Sequence, residues 1–158
     1  QSMPNIPDAW LWIAGEGPEE SSLKALVEEL GIGERTRFLG WLDKPDAFLS
    51  SADIFVCPSR HEPLGNVIIE AWAAKKPVIA TASMGPKELL GDNERGLVVP
   101  INEPKEIAKS VNYLLENPDK RIDISEAGLE DYEKHYSEKV VVEKYLEFFE
   151  KVLSECAA

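Results

Sequence analysis

Four short apolar runs punctuate the first hundred residues, each bounded by turn-forming positions. They are Ala9-Trp10-Leu11-Trp12-Ile13-Ala14, Ala52 to Cys57, Pro77-Val78-Ile79-Ala80, and Gly96-Leu97-Val98-Val99. None alternates cleanly between apolar and polar, so each is expected to be buried on both faces, as strands of a parallel sheet are. A shorter and more polar stretch, Thr36-Arg37-Phe38-Leu39, fits an edge strand. Helical patterns fill the gaps. Glu19 to Leu30 carries Leu23, Leu26, Val27 and Leu30 at spacings of three and four, then stops at Gly31. Asp46 to Ser51 is a short helix and Asn66 to Ala74 a mostly apolar one. Pro104 to Leu115 opens with proline and places Ile107, Ala108, Val111, Leu114 and Leu115 on one face. This alternation predicts an α/β fold, a Rossmann-like open parallel sheet with helices on both faces and right-handed crossovers.

The last third changes character. After Asn117-Pro118 the pattern is helix only, Lys120 to Tyr136 and then Ser137 to Glu155. The final helix presents Val140, Val141, Val142, Tyr145, Leu146, Phe148, Phe149, Val152 and Leu153, more than one face's worth of apolar surface. Core packing accounts for most of it, and a second domain or a subunit for the rest. The expected organisation is one domain over residues 1–158, with an α/β core at 9–117 and C-terminal helices at 118–158. Residues 1–8 read as a leader. Gln1-Ser2-Met3 is equally compatible with a native start and with the scar of a cleavable tag.

Composition narrows the function. Of 158 residues, 44% are hydrophobic and 29% charged, as in ordinary soluble globular domains. A formal net charge of −12 argues against nucleic acid and against a polyanionic membrane surface, both of which are bound through Lys and Arg. Cys57 and Cys156 form no CxxC pair and no Cys/His cluster, so no metal site is expected and both read as reduced thiols. No apolar run approaches the roughly 20 residues that span a bilayer.

The chemistry concentrates in Pro58-Ser59-Arg60-His61-Glu62-Pro63-Leu64-Gly65-Asn66-Val67-Ile68-Ile69-Glu70-Ala71-Trp72-Ala73. This segment begins at the carboxyl end of a buried strand, where open α/β sheets bind ligands. Gly65 lets backbone approach a ligand closely, and the N–H groups of Asn66 and Val67 are unpaired donors at a helix start, favourable for a diphosphate. Glu70 lies on a helix whose neighbours are nearly all apolar. Either it accepts hydrogen bonds from paired ribose hydroxyls, or it faces solvent on a narrow polar stripe with Asn66. Glu62 can accept from sugar hydroxyls or steady positive charge at an anomeric carbon, or can simply be a solvated loop residue.

Glu62 and Glu70, separated by seven residues and preceded by Pro58-Ser59, resemble the signature of the group 1 family of retaining glycosyltransferases. Gly15-Glu16-Gly17-Pro18, Phe38-Leu39-Gly40, Ala52-Asp53-Ile54-Phe55-Val56, Pro77-Val78-Ile79-Ala80-Thr81, Gly85-Pro86-Lys87-Glu88-Leu89 and Gly96-Leu97-Val98-Val99-Pro100 continue the likeness in order, from about Ala9 to Leu115. The resemblance implies the C-terminal, donor-binding half of a GT-B enzyme, with a nucleotide-diphosphate sugar as substrate, UDP favoured as its carrier, and no cofactor or metal. By it, Glu62 meets the transferred sugar and is the catalytic carboxylate. Gly65, Asn66 and Val67 approach sugar and diphosphate through backbone N–H groups, and Glu70 holds the ribose. The base lies against Gly15 and Gly17 and the loop Gly40 to Asp43, including Leu42. The form Arg60 to Asn66 is similar to bacterial enzymes of lipopolysaccharide or other surface-glycan assembly. A cytoplasmic location follows, with any contact to the inner membrane made through parts outside this chain.

Three departures stand out. The family's domain starts with one more strand and helix, bringing an Arg and a Lys to the diphosphate, and nothing before Ala9 supplies them. The N-terminal acceptor-binding domain is absent. Lys75 stands where the family usually has glycine, at a cost of about 1 kcal/mol if φ is positive there. A non-catalytic sugar-nucleotide-binding module, and an epimerase or phosphorylase of GT-B form, are the alternative functions. His61 is read as a positioning or surface residue, His135 as exposed, and Trp10 and Trp12 as core. Gly15-x-Gly17 lacks the third glycine of a dinucleotide fingerprint.

Overall fold

A computed structural model describes residues 1–91 and 93–156. Strand and helix alternate through residue 116, in the order β1 (Leu11–Ala14), α1 (Glu20–Glu29), β2 (Thr36–Gly40), α2 (Asp46–Ser51), β3 (Phe55–Cys57), α3 (Asn66–Ala73), β4 (Val78–Thr81), α4 (Met84–Leu90), β5 (Leu97–Val99) and α5 (Pro104–Glu116). Two helices follow, α6 (Pro118–His135) and α7 (Glu138–Cys156). All ladders are parallel, and the sheet comes in two pieces, β1-β2 and β3-β4-β5. Among the described residues no ladder joins β1 to β3. The two pieces share one core nonetheless: Leu11 and Phe38 pack with Ile54, Val56, Ile79, Val99 and the inner face of α5.

Burial depends on where each strand lies. β4, flanked on both sides, is buried at all four positions, as its unbroken apolar run predicts. β1 alternates instead. Leu11 and Ile13 face the core, whereas Trp10 and Trp12 keep 61% and 42% of their surface exposed. The expectation that these tryptophans are core is therefore corrected. They share a face, but the face is covered only in part, by Phe48 against Trp12 and by the Arg37 guanidinium over Trp10. A shallow hollow of about 490 Å³, lined by Trp10, Trp12, Arg37 and Leu39, lies on this side.

Residues 1–8 pack against the rest of the chain. Met3 and Ile6 are buried in the shared core. Arg35 binds the turn that carries them, donating to the carbonyls of Ile6, Pro7 and Ala9 at 2.7, 3.0 and 3.1 Å, while Asn112 Nδ2 donates to Asn5 O. The pattern Met-x-x-Ile is too short to register as an element, yet it fills the space under α5.

The helix that follows β3 is held from behind. Trp72, fully buried on α3, donates from Nε1 to the Arg95 carbonyl and meets Gly128 of α6 so closely that a Cβ there would sit 2.3 Å from the indole. At the far end of α3 the chain reverses through a Schellman turn, with Lys76 N–H bonded to Ala71 O and Lys75 N–H to Trp72 O. Lys75 occupies the left-handed position of that turn, with φ of 54°. Segment 84–90, read from sequence only as the motif Gly85-Pro86-Lys87-Glu88-Leu89, is a helix. Pro86 falls in its first turn, where a missing N–H costs nothing.

Candidate functional site

Two clusters form at the carboxyl ends of strands. The first follows β3. Its loop, Pro58 to Gly65, is fastened at the start by the buried Thr81 hydroxyl, which donates to the Ser59 carbonyl. At the other end it lies on the first turn of α4, where Gly85 N–H donates to Glu62 O at 2.9 Å. A Cβ on Gly85 would come within 2.7 Å of the Leu64 carbonyl carbon, so only glycine permits this approach. The loop then turns through Gly65, whose φ of 85° puts it in the left-handed region as the N-cap of α3.

Glu62 closes this turn. Its Oε1 accepts the Gly65 N–H at 3.0 Å. Of the three backbone donors assigned from sequence to a diphosphate, Gly65 is therefore already engaged. The N–H groups of Asn66 and Val67 open the helix with no carbonyl one turn behind them. Both residues are exposed.

Glu70 is exposed as well. The helix α3 divides sharply, with Ile68, Ala71 and Trp72 inward and Asn66, Val67 and Glu70 outward. Glu70 stands one turn above Asn66, on the same face. Its carboxylate is thus an outward-facing acceptor and not a buried ion needing a partner. The polar stripe weighed from sequence is real, and it opens on the same end of α3 as the Glu62 loop. Leu64, Val67 and Met84 add an exposed apolar rim that sequence reasoning passed over. His61 is exposed on the loop.

The second cluster joins the ends of β1 and β2. Gly15, at φ of 117°, donates its N–H to Gly40 O at 2.7 Å, and Gly40 is itself left-handed at 65°. Gly17 is exposed beside them and Leu42 half-buried. Of the residues expected around the base, Gly15 is tied directly to this junction, and Gly17 and Leu42 lie two residues beyond Gly15 and Gly40 along the chain. Trp41, unremarked in the sequence, is 70% exposed. Its indole is steered by Nε1 donating to Asp43 Oδ1, and its backbone N–H reaches Glu16 Oε1 at 3.4 Å. An aromatic residue just past a strand-ending glycine was the available signal.

Among the described residues there is no group of three or more His, Cys, Asp or Glu side chains placed to hold a metal ion. No helix there is long and apolar enough to cross a membrane. His135, expected to be exposed, is half-buried as a residue, its ring edge-on to Tyr136 and its side chain still 43% exposed.

Comparison with known proteins places these features. Residues 1–131 match the family described as glycosyl transferases group 1. The lipopolysaccharide core biosynthesis glycosyltransferase LpsE of Rhizobium meliloti (strain 1021) is 36% identical over 147 residues, covering 93% of this chain and 43% of the relative. The chain thus spans less than half the length of that relative. Among solved structures, Anabaena Alr3699/HepE in complex with UDP superposes with a TM-score of 0.87 at 23% identity, over 95% of this chain and 43% of the other. The C-terminal domain of the group 1 glycosyl transferase LpcC from Francisella tularensis gives 0.76 at 26% identity, over 87% of this chain and 74% of that one.

Proposed function

We propose, on the premise that this chain belongs to the group 1 glycosyl transferases, that it is the donor-binding, C-terminal half of a retaining enzyme that moves a sugar from a nucleotide diphosphate to an acceptor hydroxyl. The observation that carries this reading is the junction of the β3 loop with α3. There a carboxylate held by Gly65, two open N–H groups and the outward Glu70 converge on one helix end. Glu62 meets the sugar, Asn66 and Val67 receive the diphosphate at the positive end of the helix, and Glu70 accepts from the ribose. The base lies against Gly15, Gly17 and Leu42, with Trp41 as a stacking face.

UDP is the proposed carrier, without metal or cofactor. The UDP complex of a protein sharing this fold supports that choice, and the lipopolysaccharide relative supports a role in bacterial surface-glycan synthesis. The acceptor is held by a domain outside this chain, in keeping with the partial coverage of the relatives. The interval between the unpaired edges of β1 and β3 is where the additional strand implied by the family resemblance enters, carrying the cations that neutralise the diphosphate.

The test is a titration with UDP, GDP and ADP followed by backbone amide NMR, on this chain and on the complete enzyme. UDP is expected to shift Gly65 to Glu70 and the Gly15 and Trp41 amides. Silence with all three nucleotides in the complete enzyme would sink the reading.

A further inference from the structure

One face of the β1-β2 pair carries aromatic surface that the donor site does not use. Trp10 and Trp12 flank Leu11 and share a face of β1, turned away from the core. Arg37 and Leu39 stand on the same face of β2, because the ladder sets Arg37 beside Trp12. All four side chains are exposed, and they line the hollow of about 490 Å³. Volume and apolar lining are those of a site for a small molecule or a short segment of a chain molecule. Its parts are held in place. Arg37 Nη1 donates to the Thr36 and Glu34 carbonyls at 2.9 and 3.1 Å, which sets the guanidinium over the Trp10 ring, 5.0 Å from its centroid. Trp12 is backed by Phe48 of α2, with ring centroids 6.3 Å apart. Platforms fixed in advance lose less entropy when a ligand arrives.

The rest of the enzyme leaves this face open. Leu11 and Phe38 point the other way, into the core shared with Val27 of α1, Met3 and Ile6. The additional strand proposed between β1 and β3 would lead into β1 in the same direction as β1 leads into β2. A right-handed crossover therefore puts its helix on the α1 side, opposite the tryptophans. The donor cleft is at the other end of the strand, since Trp10 precedes Gly15 by five residues, or about 16 Å of extended chain.

Chemistry selects the occupant. The C–H face of a pyranose ring is flat and apolar while its hydroxyls radiate from the rim, so it stacks on an indole and hydrogen-bonds at its edge. Trp10 and Trp12, about 7 Å apart along β1, offer successive platforms to linked rings. An uncharged saccharide needs no countercharge, which suits a chain of net charge −12 with one cation in the hollow. A nucleic-acid strand would stack as well but requires a cationic groove. Four side chains fall short of the roughly 20–30 residues a side that a stable dimer uses.

We propose that this hollow is a second glycan site, which holds uncharged sugar rings of the growing chain apart from the donor cleft. The choice of a growing glycan rests on the proposed transferase activity.

The test is titration of the complete enzyme, labelled with ¹⁵N at tryptophan, with maltohexaose, cellohexaose, laminarihexaose and the polyanion hexagalacturonate. Indole signals are assigned through Trp10→Phe, Trp12→Phe and Trp41→Phe. At least one neutral oligosaccharide is expected to move the Trp10 and Trp12 indoles while Trp41 stays still, and hexagalacturonate to move neither. Trp10→Ser, at an exposed position, should weaken that binding by about 10-fold. Arg37→Gln should weaken it as well. Silence of both indoles with all three neutral oligosaccharides at millimolar concentration overturns the proposal. So do binding unchanged in Trp10→Ser, a stronger response to hexagalacturonate, and a dimer, seen by sedimentation, that Trp10→Ser splits. UDP is titrated into the same samples and read at Trp41. Silence there with glycan shifts at Trp10 and Trp12 would sink the donor-site reading alone; the reverse pattern would sink the glycan site alone.

Discussion

Oε1 of Glu62 accepts the backbone N–H of Gly65 at 3.0 Å, so the carboxylate assigned to the sugar is also the brace of the turn that leads into α3. The same loop is pinned from the other side by Gly85 N–H on the Glu62 carbonyl. A residue with both tasks can be taken apart by substitution. Glu62→Gln keeps an oxygen for Gly65 and removes the charge; Glu62→Ala removes both. In the complete enzyme, Glu62→Gln is expected to leave the melting temperature unchanged and lower kcat by about 100-fold or more. Glu62→Ala should lose in addition about 1 kcal/mol of stability. Melting curves alongside donor turnover check the pair, and full activity in the Gln variant would remove Glu62 from the chemistry.

Glu70 allows a cleaner separation, because it is exposed and its replacement disturbs no packing. Glu70→Ala is expected to change stability by less than about 0.5 kcal/mol. It should weaken UDP binding to the complete enzyme by about 10-fold, the loss of one or two hydrogen bonds to a charged acceptor. Calorimetric titration reads the affinity, and an unchanged value would place Glu70 outside the ribose site.

Lys75 sits at φ of 54° in the left-handed position of the turn after α3. Lys75→Gly is expected to stabilise the chain by about 1 kcal/mol. The ion pair it gives up, with Glu126, is half exposed on both sides and contributes little. Urea denaturation measures the gain, and destabilisation would mean that the side chain does more than the pair suggests.

Gly128 is the position where α6 touches the indole of Trp72. A methyl group there must displace a fully buried ring or the helix itself. Gly128→Ala is expected to cost about 1–3 kcal/mol or more, despite the better helix propensity of alanine. Chemical denaturation followed by tryptophan fluorescence checks it.

Burial raises the Tyr136 hydroxyl above its ordinary value of 10.0, with Asp131 and Glu88 acting in the same sense and Arg95 against them. The folded state therefore favours the neutral phenol. That contribution is complete below pH 10 and is lost as pH rises from there through the raised value. Tyr136→Phe should flatten the alkaline fall in stability relative to the parent protein, measured by urea denaturation between pH 8 and 11.5.

The strands and helices were legible in the chain because burial on two faces leaves unbroken apolar runs and an amphipathic helix leaves a three-and-four repeat. Val78 to Thr81 and Ile107 to Leu115 illustrate each. The family likeness was legible too, since a turn that needs Gly65 and Gly85 keeps those residues at fixed intervals. Other features depended on which element lies next to which. Trp10 and Trp12 share a face in any strand, but only the arrangement around β1 leaves that face largely uncovered. Met3 and Ile6 became core because Arg35 and Asn112, distant in sequence, hold their turn under α5. Glu70 looked like a charge on a buried helix, and proved to be on its outward face once α6 had claimed the other side through Trp72 and Gly128. Sequence determines local conformation and the periodicity of burial, which are short-range properties. Exposure is a property of the assembled neighbours, and it is what separates a core tryptophan from an open one and a buried carboxylate from one free to bind.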